Sequence, residues 1–395
     1  MKQKALWINQ IKGLCICLVV IYHSVITFYP HLSGLQHPLS GLLAKCWVYF
    51  NLYLAPFRMP VFFFISGFLI RRYIDDVDWR TSLDKRIWSI VWVLALWGIL
   101  QWQALTHLNA WLAPERELAT SSNAAYADSV SGFILGMLTA STSLWYLYAL
   151  VVYFTLCKLL SRWKLPVLGL LALASIAINF LPLPWWGMNS VVRNMIYYSL
   201  GAWYGAQLMA WMKGLEIGRV WLALVAFGAV SVVLWFANVP LPLSLLSIVL
   251  IMKLFYSVEQ RYAVHPGNLL NVVGSNTIAI YTTHRILIEA FSLFLIGEMN
   301  AAYWPVWAEL TLILVYPFAS LLVCTLVGLG IRKISTSLFG DVFFSPPATL
   351  SPSTATRLCS LRPLFGGELP SIRLRFANAK RSRIIKTLRI SDMPQ

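Results

Sequence analysis

Charged side chains are scarce in this chain, and acidic ones are the scarcest. Asp and Glu number 15 among 395 residues against 31 Lys and Arg, and charged residues make up only 12% of the sequence. Hydrophobic residues account for 59%, well above the share found in soluble domains. The shortage of charge excludes an ordinary soluble domain, and the apolar excess predicts a protein that lies mostly within a membrane.

Cysteine is present, but in no pattern that supports a covalent or metal-bound framework. No two of the six cysteines have zinc-site or thioredoxin-like spacing, and five of them lie in or beside apolar segments. They are Cys15, Cys17, Cys46, Cys157, Cys324 and Cys359. We therefore expect free thiols, no disulfide framework and no metal site.

Long apolar segments recur along most of the chain. They are continuous rather than alternating, which favours helices over the strands of a membrane barrel. The ten segments are residues 11–29, 44–70, 87–105, 143–161, 165–183, 193–212, 219–237, 241–257, 269–296 and 308–331. The sequence thus predicts an all-α membrane protein, a polytopic bundle of about ten transmembrane helices. The second and ninth segments exceed the required length, and Pro56 and Pro60 on either side of Arg58 favour a break there.

Basic residues are concentrated in alternate loops. Residues 71–86 contain five Lys or Arg and residues 158–164 contain three, whereas residues 30–43, 184–192 and 297–307 contain none. By the positive-inside rule, both termini are predicted to be cytoplasmic. Because the net charge of +16 comes mainly from such loops and from the end of the chain, it does not indicate a nucleic-acid partner.

Two segments lie outside the predicted spans. Residues 106–142 form a long external loop, either a lid over an external site or a solvated connector, and we favour the connector. Residues 336–395 lack a spanning run, so we predict a transmembrane domain of residues 1–335 followed by a basic, disordered cytoplasmic tail. Contact of this tail with anionic lipid is the alternative.

The first apolar segment contains a cation and an imidazole. In a helix, the eleven residues from Lys12 to His23 turn through about 1100°, so both lie on one face, about 16 Å apart along the axis. Such groups are costly in a membrane and indicate a function. The alternative is a Lys that reaches the interface and a His satisfied by a neighbouring helix. His284 is predicted to lie at a depth similar to that of His23, so the two imidazoles can share one site.

Arg58 is a further buried cation. Counting from Ile70 at the end of its segment places it about 18 Å deep. Because a guanidinium stays charged, it requires a carboxylate, helix carbonyls, water or a ligand. Glu289 and Arg285 in the ninth segment are candidate partners for such charges, and a structural ion pair is the alternative to a binding role.

Five motifs, each loose on its own, occur in a particular order. They are Lys12 with His23, FRMPVFFFISGFLI at 57–70, Lys85-Arg86 opening the third segment, SLWYLYAL at 143–150, and GSNTIAIYTTH at 274–284. Together they resemble the acyltransferase-3 family of integral membrane acyltransferases, over about residues 5–335. The resemblance implies transfer of an acyl group from cytoplasmic acyl-coenzyme A to a hydroxyl, often of a sugar, on the external side.

The resemblance also implies roles for particular residues. His23 would be the essential residue, acting as general base, with a covalent acyl intermediate as the alternative. His284 would orient the acceptor or assist proton transfer. Trp145, Tyr146 and Tyr281 are expected to contact substrate. Direct transfer and relay through an intermediate both remain open.

The phosphates of the donor require cations at the cytoplasmic edge. The family often has two Arg three residues apart, and here Arg86 is the first while Ser89 occupies the second position. We therefore expect several basic residues to share this contact. The expected set is Lys12, Arg58, Arg71, Arg72, Lys85 and Arg86.

The sequence as a whole predicts a bacterial inner-membrane O-acyltransferase that modifies an envelope carbohydrate or glycan precursor. Acyl-coenzyme A, most simply acetyl-coenzyme A, would be the donor substrate, and no tightly bound cofactor is expected. The first alternative is a transporter or flippase in which His23, His284 and Arg58 handle protons or anions. The second is a non-catalytic relative of the family.

Overall fold

The computed structural model describes residues 6–31, 35, 37–114, 123–262, 264–301 and 303–347. Over these residues the regular structure is helical, and no strand occurs among them. The predicted all-α class is therefore confirmed. The end of the predicted tail, from residue 348 onward, lies outside the described residues.

The described part of the chain contains α-helices of very different lengths. In order they are α1 (Leu6–Phe28), α2 (Pro38–Tyr53), α3 (Ala55–Asp75), α4 (Trp79–Ser82), α5 (Ser89–Leu112), α6 (Val130–Leu138), α7 (Trp145–Leu159), α8 (Lys164–Ala177), α9 (Trp186–Gly214), α10 (Ile217–Phe236), α11 (Leu241–Arg261), α12 (Leu269–Ser275), α13 (Thr277–Ala301) and α14 (Val306–Leu338). A π-helical turn, Leu83–Trp88, joins α4 to α5, and a 3₁₀ turn, Ala124–Tyr126, precedes α6.

The described helices provide fewer candidate membrane spans than the ten that the sequence predicts. Within the described residues, six helices are long and apolar enough to cross a membrane, and two bent pairs raise the number to eight. The pairs are α2 with α3, bent by 41°, and α7 with the chain from Ser161 to Ala177, bent by 72°. Ten spans are not confirmed. One reason is that α7 and α8, at 15 and 14 residues, are each shorter than the hydrocarbon layer, about 30 Å thick.

The two long predicted segments are both interrupted. In residues 44–70 the break falls at Leu54 between α2 and α3, not at Arg58, and Pro56 lies in the first turn of α3, where its missing N–H costs nothing. Pro60 lies inside α3 without ending it. In residues 269–296 the break falls at Asn276, between α12 and α13.

Glycines bring the central helices into backbone contact. A Cβ on Gly67 of α3 would lie 2.1 Å from the carbonyl oxygen of Tyr198 in α9, and a Cβ on Gly201 would lie 2.1 Å from that of Phe64. Small residues allow membrane helices to approach in this way. The Cβ positions therefore show that α3 and α9 pack too closely for any larger residue at these two points.

A second contact of the same kind fixes α1. A Cβ on Gly13 would lie 2.2 Å from the carbonyl oxygen of Leu270, and one on Gly274 would lie 1.8 Å from that of Asn9. The amides of Leu6 and Trp7 at the start of α1 donate to the Glu259 carboxylate at the end of α11. These contacts set the position of α1 along its own axis.

The chain after α14 folds back onto α5. The Trp92 and Trp97 indoles donate to the carbonyl oxygens of Val342 and Phe343, at 2.8 and 2.9 Å. The Phe344 ring is buried and stacks on Trp97, with centroids 5.7 Å apart. The predicted boundary at residue 335 thus lies inside α14. Residues 342–344, beyond the end of α14, pack against α5.

We predict that Gly67→Ala destabilises the protein by about 1 to 3 kcal/mol or more, because the new methyl group meets backbone that no rotamer change can move. The measurement is the apparent Tm in detergent. Gly169→Ala in α8 is the matched control, since a Cβ there meets nothing within 4 Å. Equal melting temperatures for the two variants would contradict the close packing of α3 and α9.

Candidate active site

Two imidazoles from different helices meet inside the bundle. The ring centroids of His23 in α1 and His284 in α13 are 5.0 Å apart. His284 is fully buried and His23 partly buried. The structure therefore brings together the two membrane-embedded histidines that helix counting places at similar depth.

The hydrogen bonding of His284 defines its tautomer. Its Nδ1 lies 2.6 Å from the carbonyl oxygen of Tyr281, and because a carbonyl only accepts, Nδ1 carries the proton in the neutral ring. Nε2 is then the basic nitrogen. In the part of the chain that the structure describes, neither this Nε2 nor His23 Nδ1 has a hydrogen-bond partner, although both are buried. Each ring thus keeps a nitrogen available for a reacting group.

An ion pair beside the histidines connects the loop between α5 and α6 to the site. Arg285 contacts Glu289 at 3.0 Å, donates to the Thr27 hydroxyl at 2.6 Å, and also donates to the Tyr126 hydroxyl. Tyr126 belongs to loop 106–142. The described end of this loop is therefore packed against the site, and the prediction of a merely solvated connector is wrong for residues 123–142.

A cavity of about 680 Å³, here called the outer cavity, lies on the side of the turns 178–185 and 237–240. His23, Arg58, Trp145 and Arg285 are among its lining residues. The Arg58 guanidinium is buried, 3.9 Å above the Tyr22 ring. Arg58 therefore belongs with the histidines and is separated from the other cations predicted to bind the donor.

A second cavity of about 330 Å³, here called the inner cavity, lies towards the start of α1. Lys12, Lys85 and Arg86 line it together with Ser89, and no acidic residue lines it within the described chain. Lys85 and Arg86 come from the π-helical turn, a distortion often found at functional sites. Phe344 also lines this cavity.

The remaining predicted donor residues lie apart from the two cavities. Arg71 and Arg72 at the end of α3 are exposed, and Arg71 donates to the carbonyl oxygen of Phe68 at 3.0 Å. Nearby, Asp78 starts α4 by accepting from the Thr81 amide at 2.9 Å, which lowers the pKa of its exposed carboxyl group. This cap fixes the start of the turn that presents Lys85.

One side chain is common to the two cavities. Tyr281 lines both of them, and its hydroxyl donates to the carbonyl oxygen of Ser143 at 2.7 Å and accepts from the Tyr146 amide at 3.3 Å. Tyr146 lines the inner cavity, and its hydroxyl is bonded to Ser66 at 2.7 Å. The aromatic residues predicted to contact substrate are thus divided between the cavities, with Tyr281 between them.

Comparison with known proteins identifies the family of this chain. Residues 5–329 match the model of a family described as an acyltransferase domain. The chain belongs to the acyltransferase-3 family. It is 65% identical to the inner membrane protein YcfT of Escherichia coli (strain K12) over 348 residues, 88% of this chain and 98% of that protein. No solved structure matches it.

These findings confirm the resemblance drawn from the five motifs. The protein is a multi-pass inner membrane protein, and its domain is that of an acyltransferase enzyme. The transporter alternative is not favoured by them. In the structure, residues from each of the five motifs line one or both of the two cavities of this acyltransferase.

Sequence reasoning missed several residues of the acyltransferase site. Arg193 in α9 lines the outer cavity, and its only signal was its position at the start of an apolar segment. Gln101 of α5 is buried, accepts from Ser143 at 2.5 Å and donates to the carbonyl oxygen of Thr282 at 2.8 Å. A buried amide in a membrane helix was the signal that could have identified it.

We predict that Glu289→Gln destabilises the acyltransferase by about 3 to 5 kcal/mol, because it leaves the buried Arg285 charge without its carboxylate. Thermal unfolding in detergent measures the effect. Glu216→Gln provides the control, since its ion pair with Arg219 is exposed and worth little. A Glu289→Gln protein as stable as Glu216→Gln would show that the buried pair does not support the fold.

Proposed function

We propose that the protein is an O-acyltransferase that moves an acyl group, most simply acetyl, from cytoplasmic acyl-coenzyme A to a hydroxyl of an envelope carbohydrate or glycan precursor. The main support is the pair of cavities that meet at Tyr281. One is lined by basic side chains and lies towards the start of α1. The other lies on the side of the turns 178–185 and 237–240 and is lined by His23, whose ring centroid is 5.0 Å from that of His284.

The inner cavity is suited to the donor. Coenzyme A carries several phosphate charges, and Lys12, Lys85 and Arg86 supply cations with no competing acid among the described lining residues. Ser89 lines the same wall where the family often has a second Arg, and it offers a hydroxyl donor instead of a charge. The exposed Arg71 and Arg72 are available to phosphates outside the cavity.

The outer cavity is suited to the transfer step. The acceptor hydroxyl oxygen attacks the thioester carbonyl carbon while His23 removes the hydroxyl proton. The carbon–sulfur bond then breaks, and the coenzyme A thiolate leaves and takes up the proton from His23. His284, whose Nε2 is unprotonated in the neutral ring, orients the acceptor or shares this proton.

Placing the donor in the inner cavity also sets the orientation of the protein in the membrane. The inner cavity must face the cytoplasm, where acyl-coenzyme A is made, and both chain termini then lie on that side. The outer turns and residue 123 face the opposite compartment. The short arm of the donor has to reach about 16 Å along α1, from the level of Lys12 to that of His23.

We predict that His23→Ala lowers acyl-coenzyme A turnover by about 100-fold or more, the usual contribution of a general base. Release of coenzyme A by purified protein in detergent, followed with a thiol reagent, is the measurement. His107→Ala is the control because His107 is an exposed residue far from both cavities.

Unchanged turnover in His23→Ala would remove the general-base role. Absence of turnover in the wild type, together with vectorial flux of a solute into liposomes, would replace the enzyme by a transporter. The two readouts therefore separate the classes of function.

We predict that a cysteine replacing Asn123 is labelled by a membrane-impermeant maleimide in intact cells, and that a tag at Gln395 is accessible only after permeabilisation. The background carries Cys46→Ser, since Cys46 is exposed. Arg80→Cys in the basic turn is the matched control for the inner side. The reverse labelling pattern would invert the orientation and with it the assignment of the donor cavity.

A further inference from the structure

The outer cavity has an excess of positive charge. Arg58, Arg193 and Arg285 line it, and no Asp or Glu lines it among the described residues. Arg285 is compensated by Glu289 at 3.0 Å. The other two guanidinium groups remain to be explained.

Arg58 is the more deeply buried of the two arginines. Its side chain is only 5% exposed, and Nη1 is buried without a hydrogen-bond partner among the described residues. The Tyr22 ring covers one face of the guanidinium, and this cation–π contact does not give Nη1 a hydrogen-bond acceptor. A guanidinium buried in this way requires an acceptor, and an anion satisfies it best.

Arg193 lies in the wall of the same cavity. It is half-buried in α9, and its Nε is also buried without a partner in the described chain. Two guanidinium groups from different helices thus line one cavity, and no carboxylate is found among its described lining residues. Paired donors of this kind bind carboxylate and phosphate groups tightly.

The rest of the cavity wall suits a carbohydrate. Trp145, Trp186 and Trp235 provide flat apolar faces, and the amides of Asn179 and Asn238 provide polar groups. Indole faces pack well against the C–H face of a sugar ring, and amides bond its hydroxyls. The wall therefore combines the contacts that a sugar needs with two cations that a neutral sugar does not need.

We propose that the acceptor is an anionic carbohydrate, and that Arg58 and Arg193 bind its carboxylate or phosphate while the hydroxyl that is acylated lies at His23. This inference rests on the proposed function and names the acceptor class of the same site. The phosphates of the donor do not explain these arginines, because under the proposed function they bind in the inner cavity, where Lys12 lies about 16 Å along α1 from His23.

Binding of simple probes tests the inference. Purified protein in detergent is titrated with glucose, glucuronate and glucose 6-phosphate at constant ionic strength, with the fluorescence of the cavity tryptophans as the signal. At least one anionic sugar should bind about tenfold or more tightly than glucose, as charge-assisted bonds to two guanidinium groups require. The preferred probe distinguishes a carboxylate site from a phosphate site.

Substitutions show whether the arginines cause this preference. Arg58→Gln and Arg193→Gln should each weaken binding of the anionic sugar about tenfold and leave glucose binding nearly unchanged, and Arg58→Lys should recover part of the loss. Arg219→Gln, which removes an exposed arginine outside the cavity, should behave as the wild type. Should Arg58→Gln fail to fold, the half-buried Arg193 still gives the decisive comparison.

Two results would overturn the inference: equal binding of glucose and both anions by the wild type, or an anion preference that survives both Gln substitutions. Acyl-coenzyme A turnover is measured on the same preparations, with His23→Ala beside the wild type. Loss of the anion preference with normal turnover removes the acceptor class alone. Absence of wild-type turnover with the preference intact removes the acyl transfer and leaves an anion-binding cavity.

Discussion

The backbone contact between α1 and α12 is the constraint on which the site depends. Gly13 and Gly274 let the two chains touch, so α1 cannot slide along its axis. His23 lies ten residues after Gly13, and His284 lies ten residues after Gly274. The chain leaves both glycines towards the same side, in α1 without interruption and from α12 through the break at Asn276 into α13, and the two ring centroids lie 5.0 Å apart. A larger residue at either glycine would shift one ring relative to the other.

The distribution of charge follows from the same geometry. A bundle in lipid can hold a charged group only where a partner, water or a ligand compensates it. Arg285 has such a partner in Glu289 within the bundle, and the cations of the inner cavity lie near its edge. Arg58 is the exception, because it is more deeply buried than His23 and its Nη1 has no hydrogen-bond partner in the described chain. This strongly buried cation therefore lines the cavity in which the chemistry is proposed.

Counting residues along the predicted helices gave the depth of a side chain in the membrane, but not the side chains of other helices that it contacts. It gave the common depth of His23 and His284, because rise per residue is the same in every helix. It gave a depth for Arg58 but not the cavity that Arg58 lines, since depth alone does not tell which helix a side chain faces. It also gave ten spans from apolar length, where α7 and α8 are each too short and meet at a sharp bend. The glycine contacts and the roles of Gln101 and Arg193 depend on packing between distant segments, which no local pattern contains.

Tyr281 lies where the proposed donor and acceptor cavities meet. Under the proposed function, a donor from one compartment must react with an acceptor from the other, so the two cavities have to communicate at one point. An open passage there would admit water to the thioester and let solutes cross the membrane. Tyr281 lines both cavities, and two hydrogen bonds, to the Ser143 carbonyl oxygen and from the Tyr146 amide, hold its hydroxyl. Under the proposed function the donor arm has to pass this side chain, which hydrogen bonds rather than covalent structure keep in place.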